Sequence, residues 1–239
     1  MHGFDSRYPL QFNNMKLKVF YHIVDLPGWQ EIFHEQINEL KSSGLADIAE
    51  IRLCCNFDAA SFADVQKEYS NEKNFIWSFD QNDPRDYESP TLRQLYLAAQ
   101  EEDFYALYLH MKGVSYVGTG KEQSGKNWRH LLNYWNISRW RDCVAKLDEG
   151  FDHVGCQLSS IFVNHFSGNI WWVKSGFVRQ CRPFPVHHEN NFVAQLPHGG
   201  RCKFDDEFWL GSHNPKMHSL FNFINGHYED CVPCLYFQG

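Results

Sequence analysis

The 239 residues suffice for one large domain or two small ones, and 43% hydrophobic with 16% aromatic residues supply a sizeable core. A net charge of −7, with basic residues spread along the chain, argues against nucleic acid as a partner. No apolar run reaches the ~18 residues of a membrane-spanning helix, and the first fourteen lack a leader's apolar core, so a cytoplasmic protein is expected.

In chain order, residues 1–15 read as an irregular lead-in. Leu17 to Val24 is a β-rich first strand, broken by Asp25-Leu26-Pro27-Gly28. Trp29, Ile32, Phe33, Ile37 and Leu40 recur at helical spacing, and Ser43-Gly44 supplies the stop. Ile48 to Leu53 is the second strand, which makes a βαβ opening and predicts a parallel sheet. A short helix over 57–69, a strand over 74–79 and a turn-rich loop over 81–86 follow. Pro90 sits at the first turn of a helix through Leu92, Leu95, Tyr96 and Ala99.

Phe104 to Leu109 is short, apolar and bounded by charge, as in a strand covered on both faces. Gly118 to Gly125 lacks periodicity and predicts a mobile loop. Trp128, Leu131, Leu132, Trp135, Trp140, Val144 and Leu147 predict one long amphipathic helix ending at Gly150. Short strands are expected over 152–156 and 170–173, a long loop over 179–203, and a short helix from Phe204 to Leu210. No internal repeat is present.

The eight cysteines read as reduced thiols. Cys231 and Cys234 have the spacing of half a zinc site or of a chance pair. Residues 235–239 resemble a tag remnant and are left out of the fold.

Phosphate-loop, dinucleotide-fingerprint and nucleophile-elbow motifs are absent. In open α/β sheets, ligands bind at the carboxyl ends of strands, which draws attention to His110 and Lys112. Lys112 reads as a point charge for a pyrophosphate or as a solvated loop lysine. His110 reads as a strand-end cap or a metal ligand. The run His165-Phe166-Ser167-Gly168-Asn169 reads as a ligand loop with Trp171 and Trp172 as stacking surfaces, or as a turn into a buried strand. Asp205-Asp206-Glu207 reads as the home of a general base or as a dipole-favoured acidic first turn.

Several stretches together resemble a glycosyltransferase family of polysaccharide gene clusters and large viruses. They are Val19-Phe-Tyr-His22 with Glu35-Gln36 and Leu40-Lys-Ser-Ser-Gly44, Glu88-Ser-Pro-Thr-Leu92, Tyr108-Leu-His-Met-Lys-Gly-Val-Ser115, Trp128-Arg129, His165-Phe-Ser-Gly-Asn-Ile-Trp-Trp172, Glu207-Phe-Trp-Leu-Gly211 and Asn214-Pro-Lys-Met-His-Ser-Leu220. The resemblance spans residues 17–222. It implies a single domain of the A-type, Rossmann-like α/β fold, with a nucleotide-binding half over about 16–115 and an acceptor half over about 116–230. It also implies transfer of a sugar from a UDP- or GDP-linked donor to a glycan hydroxyl.

In most A-type enzymes an acidic D-x-D ends the strand and holds a divalent metal. This chain has His110-Met111-Lys112 there. The resemblance then favours metal independence, with Lys112, Gly113, Arg129, His110 and His218 around the diphosphate; His110 and His218 are the candidate ligands if Mn2+ or Mg2+ is used. It further implies Glu207 as acceptor base beside Asp206, His22, Val24 and Glu88 at the nucleoside, and His165, Ser167, Gly168, Asn169, Trp172 and Trp209 at the sugar or acceptor. The rival readings are a carbohydrate-binding module and a metal-dependent hydrolase built from the thirteen histidines.

Overall fold

The computed structural model describes residues 15–56, 62–79, 88–161, 163–183 and 204–222. The lead-in, the 81–86 loop, most of 179–203, the Cys231–Cys234 pair and the C-terminal end lie outside the described residues.

The chain alternates strand and helix at first: β1 (Lys16–Val24), α1 (Trp29–Ser42), β2 (Ala49–Asn56), α2 (Ala63–Glu68), β3 (Phe75–Phe79), α3 (Ser89–Glu101) and β4 (Phe104–His110). Next come α4 (Glu122–Asn133), α5 (Trp140–Asp148), β5 (His153–Gly155), β6 (Leu158–Ser159), β7 (His165–Phe166) and β8 (Trp171–Lys174). The described chain closes with α6 (Ser175–Val178), α7 (Phe204–Phe208) and β9 (Met217–Ser219).

Seven strands form one sheet in the order β3-β2-β1-β4-β8-β5-β9, and β6 pairs with β7 apart from it. β3, β2, β1 and β4 are mutually parallel. β8 is antiparallel to both β4 and β5, and β9 is parallel to β5, so β8 alone runs against the rest. This is the expected α/β class: a mostly parallel central sheet flanked by helices.

Strand alternation divides the core. Val19, Tyr21, Leu53, Leu107 and Leu109 pack under α1, α4 and α5. Phe20, Phe104, Ala106, Tyr108 and Val173 pack under α3 and α6. The run over 104–109 is buried on both faces because helices cover both.

Two expectations are corrected. The predicted mobile loop over 118–125 instead enters α4, which already starts at Glu122; the Glu122 carboxylate accepts the Gly118 N–H at 2.8 Å. The single helix over 128–147 is broken by a π-helical turn at Tyr134–Ser138, where Arg139 N–H reaches the Tyr134 carbonyl at 2.9 Å. The wider turn leaves the Asn136 carbonyl available to the buried Trp172 indole N–H at 2.9 Å. Periodicity cannot register one inserted residue within two amphipathic segments.

Candidate functional site

The strand order turns between β1 and β4, which feed neighbours on opposite sides; that is where an open α/β sheet forms its crevice. His22 and His110 are direct partners there. Both share a face with Phe20 and Tyr108, beneath the start of α3.

Glu88, just before α3, is the hub. One carboxylate oxygen accepts the Tyr108 hydroxyl at 2.7 Å and the Asn169 amide at 2.5 Å. The other faces His110 Nδ1 at 3.0 Å. His110 Nε2–H donates to the Gly168 carbonyl at 2.8 Å. Both ring nitrogens thus face acceptors. Burial pushes the Glu88 carboxyl up, but the charge and hydrogen bond of His110, the charge of His22 and the Tyr108 hydroxyl bring it down to about 2. Burial holds His22 near 4, against the pull of Glu88, and its Nδ1 meets the Thr91 hydroxyl at 2.8 Å.

The β7–β8 connection is shaped to reach this hub. Asn169 N–H donates to the Phe166 carbonyl at 3.0 Å, and Gly168 has φ +93, as at the third position of a type II turn. A Cβ on Gly168 would lie 2.6 Å from Leu132 and 2.8 Å from the Trp128 indole nitrogen. Asn169 is fully buried with φ 52. Its amide oxygen accepts the Trp171 indole N–H at 2.6 Å, which fixes which end points at Glu88.

On the other face, Arg129 grips Glu35 with two bonds of 2.8 and 2.9 Å and donates to the Lys112 carbonyl at 3.0 Å. Burial raises Glu35, and its bonds to Arg129 and His130 outweigh that and lower it to about 2. Arg129 therefore holds the turn after β4 while its own charge is matched. Gly113 makes that turn possible: its φ is +82, and a Cβ would meet the Gly125 carbonyl at 2.9 Å.

The side chains of Lys112 and Glu207 are partly buried and make no hydrogen bond or ion pair among the described residues. Asp206, beside Glu207 on α7, is 2% exposed; it accepts the Glu88 N–H at 3.0 Å and the Ser89 hydroxyl at 2.8 Å. α7 is thereby docked at the same edge of the sheet.

The other expected residues are placed differently. Val24 ends β1 against the core. Ser167 is half-buried, with its N–H on the Gln157 carbonyl at 2.9 Å. His165 is buried, with Nδ1–H on the Val163 carbonyl at 2.8 Å and its ring against Phe208. Trp172 is fully buried and offers no face to a ligand, which corrects its assignment to sugar or acceptor binding. Trp209 is 2% exposed, with its N–H on the Arg182 carbonyl, and is corrected likewise. His218 lies on β9, three strand spacings (~14 Å) from β4. It packs on Phe151, so it joins neither His110 nor Lys112.

The donor set at the strand end does not fit a divalent ion. The Glu88 oxygens and both His110 nitrogens already meet protein groups. Among the described residues no three His, Cys, Asp or Glu side chains group for a metal. Tyr108, Glu35 and Ser89 lie in the stretches that carry the resemblance, but sequence reasoning gave them no role. A hydroxyl in a buried run and a buried guanidinium each demand a partner, and that demand was the available signal.

No curated protein matches this chain. Among solved structures it is similar to S. aureus TarS 1–349, at 12% identity and a TM-score of 0.46 over 87% of this chain and 60% of that one. It is similar to the S. aureus TarS 1–349 structure in complex with UDP at 16% identity and a TM-score of 0.35, over 61% of this chain and 36% of that one. A protein described as a nucleotide-diphospho-sugar transferase, from Desulfovibrio desulfuricans, is 6% identical, with a TM-score of 0.44 over 87% of this chain and 80% of that one. The chain thus spans less than two thirds of those TarS structures. Residues 20–218 match a family described as a domain of unknown function (DUF8361), and the chain belongs to that family.

Proposed function

We propose that the chain is a nucleotide-sugar glycosyltransferase of the A-type fold, with a UDP- or GDP-linked donor and a glycan hydroxyl as acceptor. One observation carries this reading. Around the turning point of the strand order Glu88, Glu35, Arg129 and Asp206 are held by protein groups, whereas the partly buried side chains of Lys112 and Glu207 make no hydrogen bond or ion pair among the described residues. The acceptor oxygen attacks the anomeric carbon as its proton passes to the Glu207 carboxylate. The bond from that carbon to the diphosphate oxygen breaks, and the negative charge developing on that oxygen is balanced by Lys112. This describes an inverting displacement. Cytoplasmic placement and a role in polysaccharide synthesis belong to the same proposal.

The test is a thermal-shift screen with UDP, GDP and their sugars, with and without manganese, followed by transfer assays. A nucleotide diphosphate raises the melting temperature, and activity survives EDTA. Glu207→Gln lowers turnover by ~10³-fold at unchanged donor affinity. Wild-type turnover in that variant would remove Glu207 from the mechanism. A response to free sugars alone would replace the enzyme by a carbohydrate-binding module.

A further inference from the structure

We propose that Asp206 is a positioning residue that sets the distance between the base on α7 and the donor end of β4; this rests on the function proposed above. Both carboxylate oxygens of Asp206 are spent on the start of α3, one on the Glu88 N–H at 3.0 Å and one on the Ser89 hydroxyl at 2.8 Å. At 2% exposure it cannot collect a proton from an acceptor. α3 has no side-chain cap of its own, so its first turn takes its anion from Asp206, 118 residues from Glu88.

Glu88 is what makes this contact more than a cap. Its backbone N–H is held by Asp206, while its carboxylate holds His110, Tyr108 and Asn169. One residue therefore ties the helix that bears Glu207 to the strand end that precedes Lys112. A shift of α7 by one ångström separates the base from the acceptor hydroxyl, and misplacements of that size cost ~100-fold in rate.

The experiment compares wild type, Asp206→Asn, Asp206→Glu and Ser89→Ala. UDP binding is measured by calorimetry, and nucleotide diphosphate release is followed from UDP-glucose, UDP-N-acetylglucosamine and GDP-mannose with glycan acceptors. Asp206→Asn keeps the shape but replaces one acceptor oxygen with a donor. It should bind UDP like wild type, keep KM for the donor and lose ~100-fold in kcat. Asp206→Glu restores part of that loss. Ser89→Ala, which removes one of the two bonds and carries the test if Asp206→Asn does not fold, loses ~10-fold in kcat. Turnover within twofold of wild type in the folded variants overturns the inference. So does a parallel fall of kcat, UDP affinity and melting temperature, which marks Asp206 as merely structural. A wild-type protein that neither binds UDP nor releases nucleotide from any of these donors fails at the functional reading instead.

Discussion

Two carboxylate contacts flank the C-terminal end of β4, one on each face of the sheet, and the partner of each does the same two jobs. Arg129 holds the Glu35 carboxylate and the Lys112 carbonyl. His110 faces the Glu88 carboxylate and the Gly168 carbonyl. In each case a carboxylate is held and a loop is pinned by what remains of the partner's hydrogen-bonding capacity. The difference lies in the carboxylates. The Glu35 side chain is 28% exposed and takes its donors from two residues of α4, Arg129 and His130, whereas Glu88, 19% exposed, takes its three from β4 and the β7–β8 turn. The Arg129 side joins two helices; the Glu88 side ties a strand end and a turn to the start of α3.

The strongest way to break this comparison is to remove one acid or base from each side. Glu88→Ala orphans the Tyr108 hydroxyl, the Asn169 amide and His110 together, and should lower stability by about 4–5 kcal/mol in urea unfolding. Arg129→Ala leaves a carboxylate that can rehydrate and should cost about 3 kcal/mol. Equal losses would mean that exposure at Glu35 makes no difference.

A smaller effect is expected at the charge the two pairs leave unmatched. Lys112→Ala should weaken UDP binding roughly tenfold, or ~1.4 kcal/mol, and leave uridine binding unchanged. Equal weakening of both would place Lys112 away from the diphosphate.

Acid probes the same groups without a substitution. Glu88 and Glu35 are both lowered from 4.5 to about 2, so their stabilisation is complete above pH 4.5 and is lost as pH falls from there toward 2. Two histidines act higher. Burial lowers His22, which faces Glu88, His110 and Thr91, to about 4. His153 is lowered to about 3 by burial and by nearby His165; its ring lies edge-on to Phe166 and Trp171, and neither nitrogen has a hydrogen-bond partner among the described residues. The unfolded chain binds protons at these two positions first, so stability should fall as pH drops below about 6.5, by at most ~1.4 kcal/mol per pH unit for each group. Urea midpoints at pH 7, 5.5 and 4 should show this decline, and His153→Leu should flatten its upper part. An unchanged slope in that variant would show that His153 does not titrate on unfolding.

Much of the scaffold was legible because it obeys simple periods. β1, β2, β4, α1 and α3 carry enough residues for alternation or helical spacing to be seen. β6, β7 and β9, of two or three residues each, fall below that threshold; β6 and β7 pair with each other, and β9 pairs with the equally short β5. At the site, the strand end at His110 and Lys112 was readable from where an apolar run meets charge. The bonds from Asp206 to Glu88 and Ser89 were not, because nothing local distinguishes an acidic first turn from an acid reaching across the fold. Trp172 and Trp209 misled for a related reason: an indole suits a core as well as a sugar, and only burial decides.

The reversed direction of β8 has a consequence for how this edge can diversify. A parallel strand delivers its last residues to the ligand edge, and its connection then departs on the way to the next element. β8 delivers its first residues there, from a turn that follows the β6–β7 pair. Ile161, between those two strands, is 67% exposed. Recoding the turn over 167–169 alters what meets Glu88 and His110 without shifting the register of any strand in the main sheet.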